Sequence, residues 1–158
     1  NGFLFKEKEN PRKLNISEIK KIQEIEVCDY NNLKAGRDFT LSSGKTIQNS
    51  LLTLDPEKTM SYAYCSDTSY KPDIVEIIKK SDILYHESTF LSDKEDLAIK
   101  TRHSTAKQAA IIAKEAKVKK LILGHYSSRY KDISLFKKEA EEIFTNVILA
   151  ETGKIISI

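Results

Sequence analysis

"STAKQAAIIAKEAKVKKLILG", residues 104–124, is the stretch on which the fold turns. Residues 104–118 are rich in alanine and amphipathic, the pattern of a helix with one apolar stripe against a core. The apolar run "KLILG" (120–124) is short enough to be a strand. The same alternation extends on both sides. "YAYC" (62–65) and "ILYH" (83–86) read as strands, separated by a helix in "KPDIVEIIKKSD" (71–82) with Pro72 near its first turn. Downstream come a helix in "DISLFKKEAEEIF" (132–144) and closing strands in "NVILA" (146–150) and "KIISI" (154–158), while residues 91–103 read as a polar loop. Strands alternating with helices require crossover connections and a largely parallel sheet, so the fold class is α/β.

Residues 1–60 are less regular. Ile16, Ile19, Ile22 and Ile25 recur at spacing three, predicting a short helix capped by Asn15 or Ser17. "DFTLSSGKTI" (38–47) reads as two short strands around a Ser42-Ser43-Gly44 turn. The 158 residues form one domain's worth of chain, and no repeat, low-complexity tract or linker divides them. A net charge of +3 is compatible with a polyanionic partner without requiring one. Cys28 and Cys65 form no C-x-x-C, which argues against a disulfide framework and for a reducing, cytoplasmic setting. No segment is long and apolar enough to span a bilayer. The only methionine is Met60, and a chain that opens on the apolar "GFLF" reads as an excerpt of something longer.

In parallel sheets, ligands collect at the carboxyl ends of the strands. "YAYC" runs into Ser66-Asp67-Thr68, "ILYH" into Glu87-Ser88-Thr89, and "LILG" into His125-Tyr126-Ser127. If these strands are neighbours, Asp67, Glu87 and His125 share one rim, and His103 can join them from its loop. Asp67 is a hard oxygen ligand able to bridge two cations, and His125 is a candidate zinc imidazole. Each also has a plainer role, Asp67 as a loop cap and His125 bonded to a carbonyl. Glu87 could orient an imidazole or could simply be solvated, while His86 belongs to strand packing. In "RHST" (102–105), Ser104 and Thr105 could hold a phosphate or merely cap the helix, and His103 could pass a proton to a leaving oxygen. Arg129 could grip a phosphate through two parallel bonds, although an exposed arginine is usually only solvated. Taken singly these signals are weak; their convergence on one rim gives them weight.

"AYCSDT" (63–68), "HESTF" (86–90), "RHST" (102–105) and "GHYSSRY" (124–130) occur in this order, and "LKAGRDFTLSSGKTI" (33–47) precedes them. Together they resemble the C-terminal half of the ribonuclease Z family, the tRNA 3′-processing endonucleases of the metallo-β-lactamase superfamily. The resemblance covers most of the chain. It implies the second half of a metallo-β-lactamase αβ/βα sandwich spanning residues 1–158, with helices on one sheet face and a bare apolar face opposite. It also implies that Asp67 bridges two zinc ions, that His125 is a terminal ligand, and that Glu87 and His103 handle the proton of the departing ribose 3′-oxygen. Ser104, Ser127 and Arg129 would meet substrate phosphates. The reaction implied is zinc-dependent hydrolysis that removes the 3′ trailer from precursor tRNA, by a cytoplasmic homodimer.

The family's H-x-H-x-D-H cluster, which supplies further metal ligands and the base that activates water, is not in these residues, which hold three histidines in all. The chain alone is therefore expected to bind metal poorly and to cleave nothing. Two other readings stay open. One is a different phosphodiesterase of the superfamily, or an arylsulfatase-like hydrolase; the other is a non-catalytic RNA-binding module descended from such an enzyme.

Overall fold

A computed structural model of the protein describes residues 2–156. Contacts divide them into two compact units, residues 2–6 with 60–156, and Glu7–Thr59, where the sequence was read as one half-domain.

The larger unit is built on a five-stranded sheet, β1 (Gly2–Lys6), β2 (Ser61–Cys65), β3 (Ile83–Glu87), β4 (Lys120–Gly124) and β5 (Val147–Leu149), arranged in that order. β1 runs antiparallel to β2, and the other pairs are parallel. The intervening helices are α1 (Ile74–Ile77), α2 (Glu95–Thr101), α3 (Ala106–Glu115) and α4 (Ser134–Glu141). Because the strand order steps in one direction and such crossovers are right-handed, the crossover helices must fall on the same sheet face.

That face is the core. Ala63, Leu84, Leu121 and Leu123 from the strands pack with Ala109, Ile112, Ala113, Phe136 and Ala140 from α3 and α4. The alanines let α3 lie close to the sheet, with Ile112 the large side chain it adds to that core. Pleating sends alternate residues to the other face. Phe3, Phe5, Tyr62, Tyr64 and Tyr85 lie there, with Phe3 and Phe5 60% and 58% exposed. The rings pair across strands: Tyr64 stacks on Tyr85 at 4.8 Å, and Phe5 on Tyr62 at 6.1 Å. The helices lie on one side as expected, but the opposite face is bare only in part: Phe3 and Phe5 are exposed, whereas Ile83 and Ile122 on the same face are buried.

Two expectations need correction, and one strand was missed. The 91–103 segment is not a loop: a turn of 3-10 helix at Ser92–Lys94 leads into α2. β1 went unpredicted, although Phe3 and Phe5 alternate with Leu4, which faces the core. In "KIISI", residues 154–156 lie in no strand, and residues 157 and 158 fall outside the described residues.

In the smaller unit, Ile19, Ile25, Leu33 and Leu52 form a separate core. The isoleucine series yields only a one-turn helix, Ile16–Ile19. A helix turns about 100° per residue, so apolar positions at a constant spacing of three drift around it instead of forming a stripe. The chain breaks the helix and buries Ile19 and Ile25 from separate turns. The hairpin is confirmed, with Phe39–Thr40 paired to Thr46–Ile47. Buried Asn49 ties this unit together: its side-chain amide donates to the carbonyls of Leu33 and Arg37, and its side-chain oxygen accepts from Thr53.

Candidate active site

The parallel register places Cys65 beside His86 and Glu87 beside Gly124, so β2, β3 and β4 end together. Asp67, Glu87 and His125 therefore emerge on one rim. Asp67 and His125 both have left-handed backbones, with φ of 48° and 61°. Asp and His tolerate that region better than most residues, and such conformations concentrate at functional sites. They turn the two side chains together: Nε2 of His125 lies 3.1 Å from Oδ1 of Asp67.

His103 arrives from another direction. Helix α2 ends on Arg102, itself left-handed, and the reversed chain lets the His103 amide donate to the Ala98 carbonyl. The His103 ring then stacks 5.2 Å from that of His125. Its Nδ1 donates to Oε1 of Glu87 at 2.8 Å, the hydrogen bond expected between these residues. One ligand-type atom from each of Asp67, His103 and His125 falls within 4.8 Å of the others.

Glu87 is the fully buried hub of this rim. Its carboxylate accepts from the Thr68 and Ser104 amides, from the Thr89 amide and hydroxyl, and from His103. Burial works to raise its pKa, but the donors from Thr89, His103, Ser104 and Thr68 outweigh it and hold the group below the ordinary carboxylate value. Glu87 is thus an ionised acceptor, placed to keep the proton on Nδ1 of His103.

His86 is fully buried, as the packing role requires, and burial pushes its pKa down so that it is neutral. Its Nδ1 donates to the Glu87 carbonyl at 2.7 Å, and among the described residues Nε2 has no hydrogen-bond partner.

The phosphate contact expected of Ser104 has no room here. The residue is fully buried, and its hydroxyl donates to the Thr68 carbonyl at 2.7 Å. Thr105 follows the plainer reading: its hydroxyl accepts from the Gln108 amide while the Gln108 side chain accepts from the Thr105 amide, a complete capping box for α3. Ser127 is half-buried and Arg129 exposed on the segment after His125, and the Ser127 amide is fixed by the Thr89 carbonyl. Thr89 and Thr68 were given no role from sequence. The signal for Thr89 was a hydroxyl two positions after a buried acid.

The donor set fits a divalent metal. An imidazole nitrogen and a carboxylate oxygen converge on this exposed rim, and both are ligands zinc accepts. Among the described residues no helix is long and apolar enough to cross a membrane.

No family model matches the chain. Over 155 residues it is 46% identical to the ribonuclease Z of Phocaeicola vulgatus, covering 98% of this chain and 50% of that protein. It is 43% identical over 157 residues to the ribonuclease Z of Bacteroides thetaiotaomicron, covering 99% of this chain and 49% of that one. The chain thus spans about half the length of the curated relatives it matches. Among solved structures, it is similar to the metallo-β-lactamase fold protein YhfI from Bacillus subtilis, with TM-score 0.56 and 27% identity over 60% of this chain and 39% of that one. A long-form RNase Z from yeast matches with TM-score 0.54 and 26% identity, over 61% of this chain and 13% of that one.

Proposed function

We propose, from the premise that this chain is a homologue of ribonuclease Z along about half of that protein's length, that it is the C-terminal half of an endoribonuclease which removes the 3′ trailer from precursor tRNA. The observation that carries the reading is the Glu87–His103 hydrogen bond beside the Asp67–His125 pair. A proton-handling pair adjoining metal-type donors is what hydrolysis of a phosphodiester needs.

Asp67 and His125 would hold the metal, zinc by the chemistry of these donors, with two ions in the complete site. When bound, it would supply Lewis-acid stabilisation of charge on the phosphate. The chain's own residues account for the leaving group. Cleavage that frees a tRNA 3′-hydroxyl requires a proton for the departing ribose oxygen, and His103 delivers it from Nε2 while Nδ1 stays anchored to Glu87. The ionised Glu87 holds Nδ1 of His103 and so fixes which ring nitrogen is turned to the departing oxygen. Ser127 and Arg129 contact the phosphates near the cut, and Ser104 holds the Thr68 loop in place of a phosphate. The aromatic sheet face packs against the remainder of such a protein, which works as a cytoplasmic homodimer; these residues alone do not cleave.

A second reading is favoured by one observation: His103 lies close enough to Asp67 and His125 to be a third ligand. The test uses the full-length enzyme, with zinc measured by mass spectrometry. Precursor tRNA should be cut after the discriminator nucleotide, and Asp67→Ala should lose zinc and cleavage together. Hydrolysis of a small phosphodiester without tRNA cleavage would mean a different phosphodiesterase. RNA binding without cleavage of either substrate would mean a binding module.

A further inference from the structure

The hydroxyl of Thr89 joins the two halves of this rim. Thr89 is buried just beyond β3, and its Oγ1 lies 2.6 Å from Oε2 of Glu87 and 2.9 Å from Nδ1 of His125. Its amide also donates to Glu87, and its carbonyl accepts from the Ser127 amide, so the residue is fixed from three sides.

A hydroxyl carries one hydrogen. A carboxylate can only accept, so that hydrogen goes to Glu87. The lone pairs of Oγ1 then face His125, and the bond there exists only if Nδ1 of His125 is the protonated nitrogen. In the neutral ring that a metal requires, Nε2 then carries the electron pair, and Nε2 is the atom 3.1 Å from Asp67. An electron pair opposite a carboxylate oxygen is where a cation belongs.

We propose that Thr89 is a positioning residue: it transmits the orientation of Glu87 to His125 and locks that imidazole in the tautomer whose Nε2 is available to the metal. This rests on the reading of Asp67 and His125 as metal ligands. It makes Glu87 the common anchor of both imidazoles, His103 directly through Oε1 and His125 through the Thr89 hydroxyl on Oε2. A metal-binding histidine whose outer nitrogen is held in this way typically loses affinity about 10–100-fold when the partner is removed.

The test uses the full-length enzyme. Thr89→Val keeps the shape and loses the hydroxyl, whereas Thr89→Ser keeps the hydroxyl. Zinc affinity, read by competition with a chromogenic chelator, should fall about 10–100-fold in Thr89→Val and return to near wild type in Thr89→Ser. Long-range proton–nitrogen NMR spectra of the chelator-treated wild type should show the Nδ1–H tautomer of His125, and Thr89→Val should show a mixture. Equal zinc affinity in all three proteins, or an Nε2–H tautomer in the wild type, overturns the proposal. The wild-type spectrum decides even if Thr89→Val does not fold. If His125→Ala leaves zinc binding unchanged, the ligand reading has failed instead, and the tautomer measurement still judges Thr89 by itself.

Discussion

Nδ1 of His103 donates to the buried carboxylate of Glu87 at 2.8 Å across sixteen positions of sequence. No shared element forces this meeting. β3 delivers Glu87, and the left-handed Arg102 at the end of α2 delivers His103. Five hydrogen bonds converge on a carboxylate whose pKa burial works to raise. Glu87→Gln keeps the volume but puts a donor where acceptors are needed, opposing the amides of Thr68 and Ser104. It should destabilise the protein by about 1–3 kcal/mol, read from denaturant midpoints. An unchanged midpoint would mean that the network contributes little.

Gly124 leads into His125, and the Tyr85 ring lies directly over it. A Cβ at this position would sit 2.3 Å from the Tyr85 hydroxyl oxygen and 2.7 Å from two ring carbons. Gly124→Ala should therefore cost about 1–3 kcal/mol as an overpacked contact. Shortening the ring should relieve it, so the Gly124→Ala, Tyr85→Ala double variant should be more stable than the two single effects sum to. Strict additivity would show that the clash is absorbed elsewhere.

Asp82, at the start of β3, accepts from Lys119 and from the amide and hydroxyl of Ser61. The Lys119 ammonium first, then the Ser61 donors, hold its pKa down to about 2 against the opposing effect of burial. The folded-state value lies below the unfolded one, so its stabilisation is full above about pH 4 and is lost as pH falls toward 2. Asp82→Asn should remove that part of the acid sensitivity, on the order of 1–2 kcal/mol. Urea midpoints measured from pH 5 down to pH 2 check this; parallel curves for the two proteins would exclude it.

Arg129 is exposed on the segment after His125 and is read as a phosphate contact. In the full-length enzyme, Arg129→Ala should raise KM for precursor tRNA and flatten its salt dependence, with kcat little changed. A fall in kcat at constant KM would move Arg129 from binding to chemistry.

Much of this was legible in sequence because it is periodic or terminal. β2, β3 and β4 are short apolar runs ending in polar residues, and parallel neighbours must bring those ends together, which located Asp67, Glu87 and His125. β1 was hidden because an edge strand of five residues shows its alternation only once its partner is known. Helix α2 was hidden because seven residues hold too little apolar stripe, and Ile99 points to solvent. Ser104 and Thr89 show the limit at the site. Both are hydroxyls beside a candidate proton carrier or acid, and only the fold reveals that one turns inward to Thr68 while the other bridges Glu87 and His125.

The account's central claim is that His103 moves a proton beside a metal held by other residues. Zinc content and single-turnover cleavage of precursor tRNA, measured together on full-length His103→Ala, test it most directly. The account predicts unchanged zinc and a cleavage rate lower by about 10²–10⁴-fold, the range for losing a general acid. Loss of zinc would make His103 a ligand, and a normal rate would leave "RHST" as nothing more than the start of a helix; either result contradicts it.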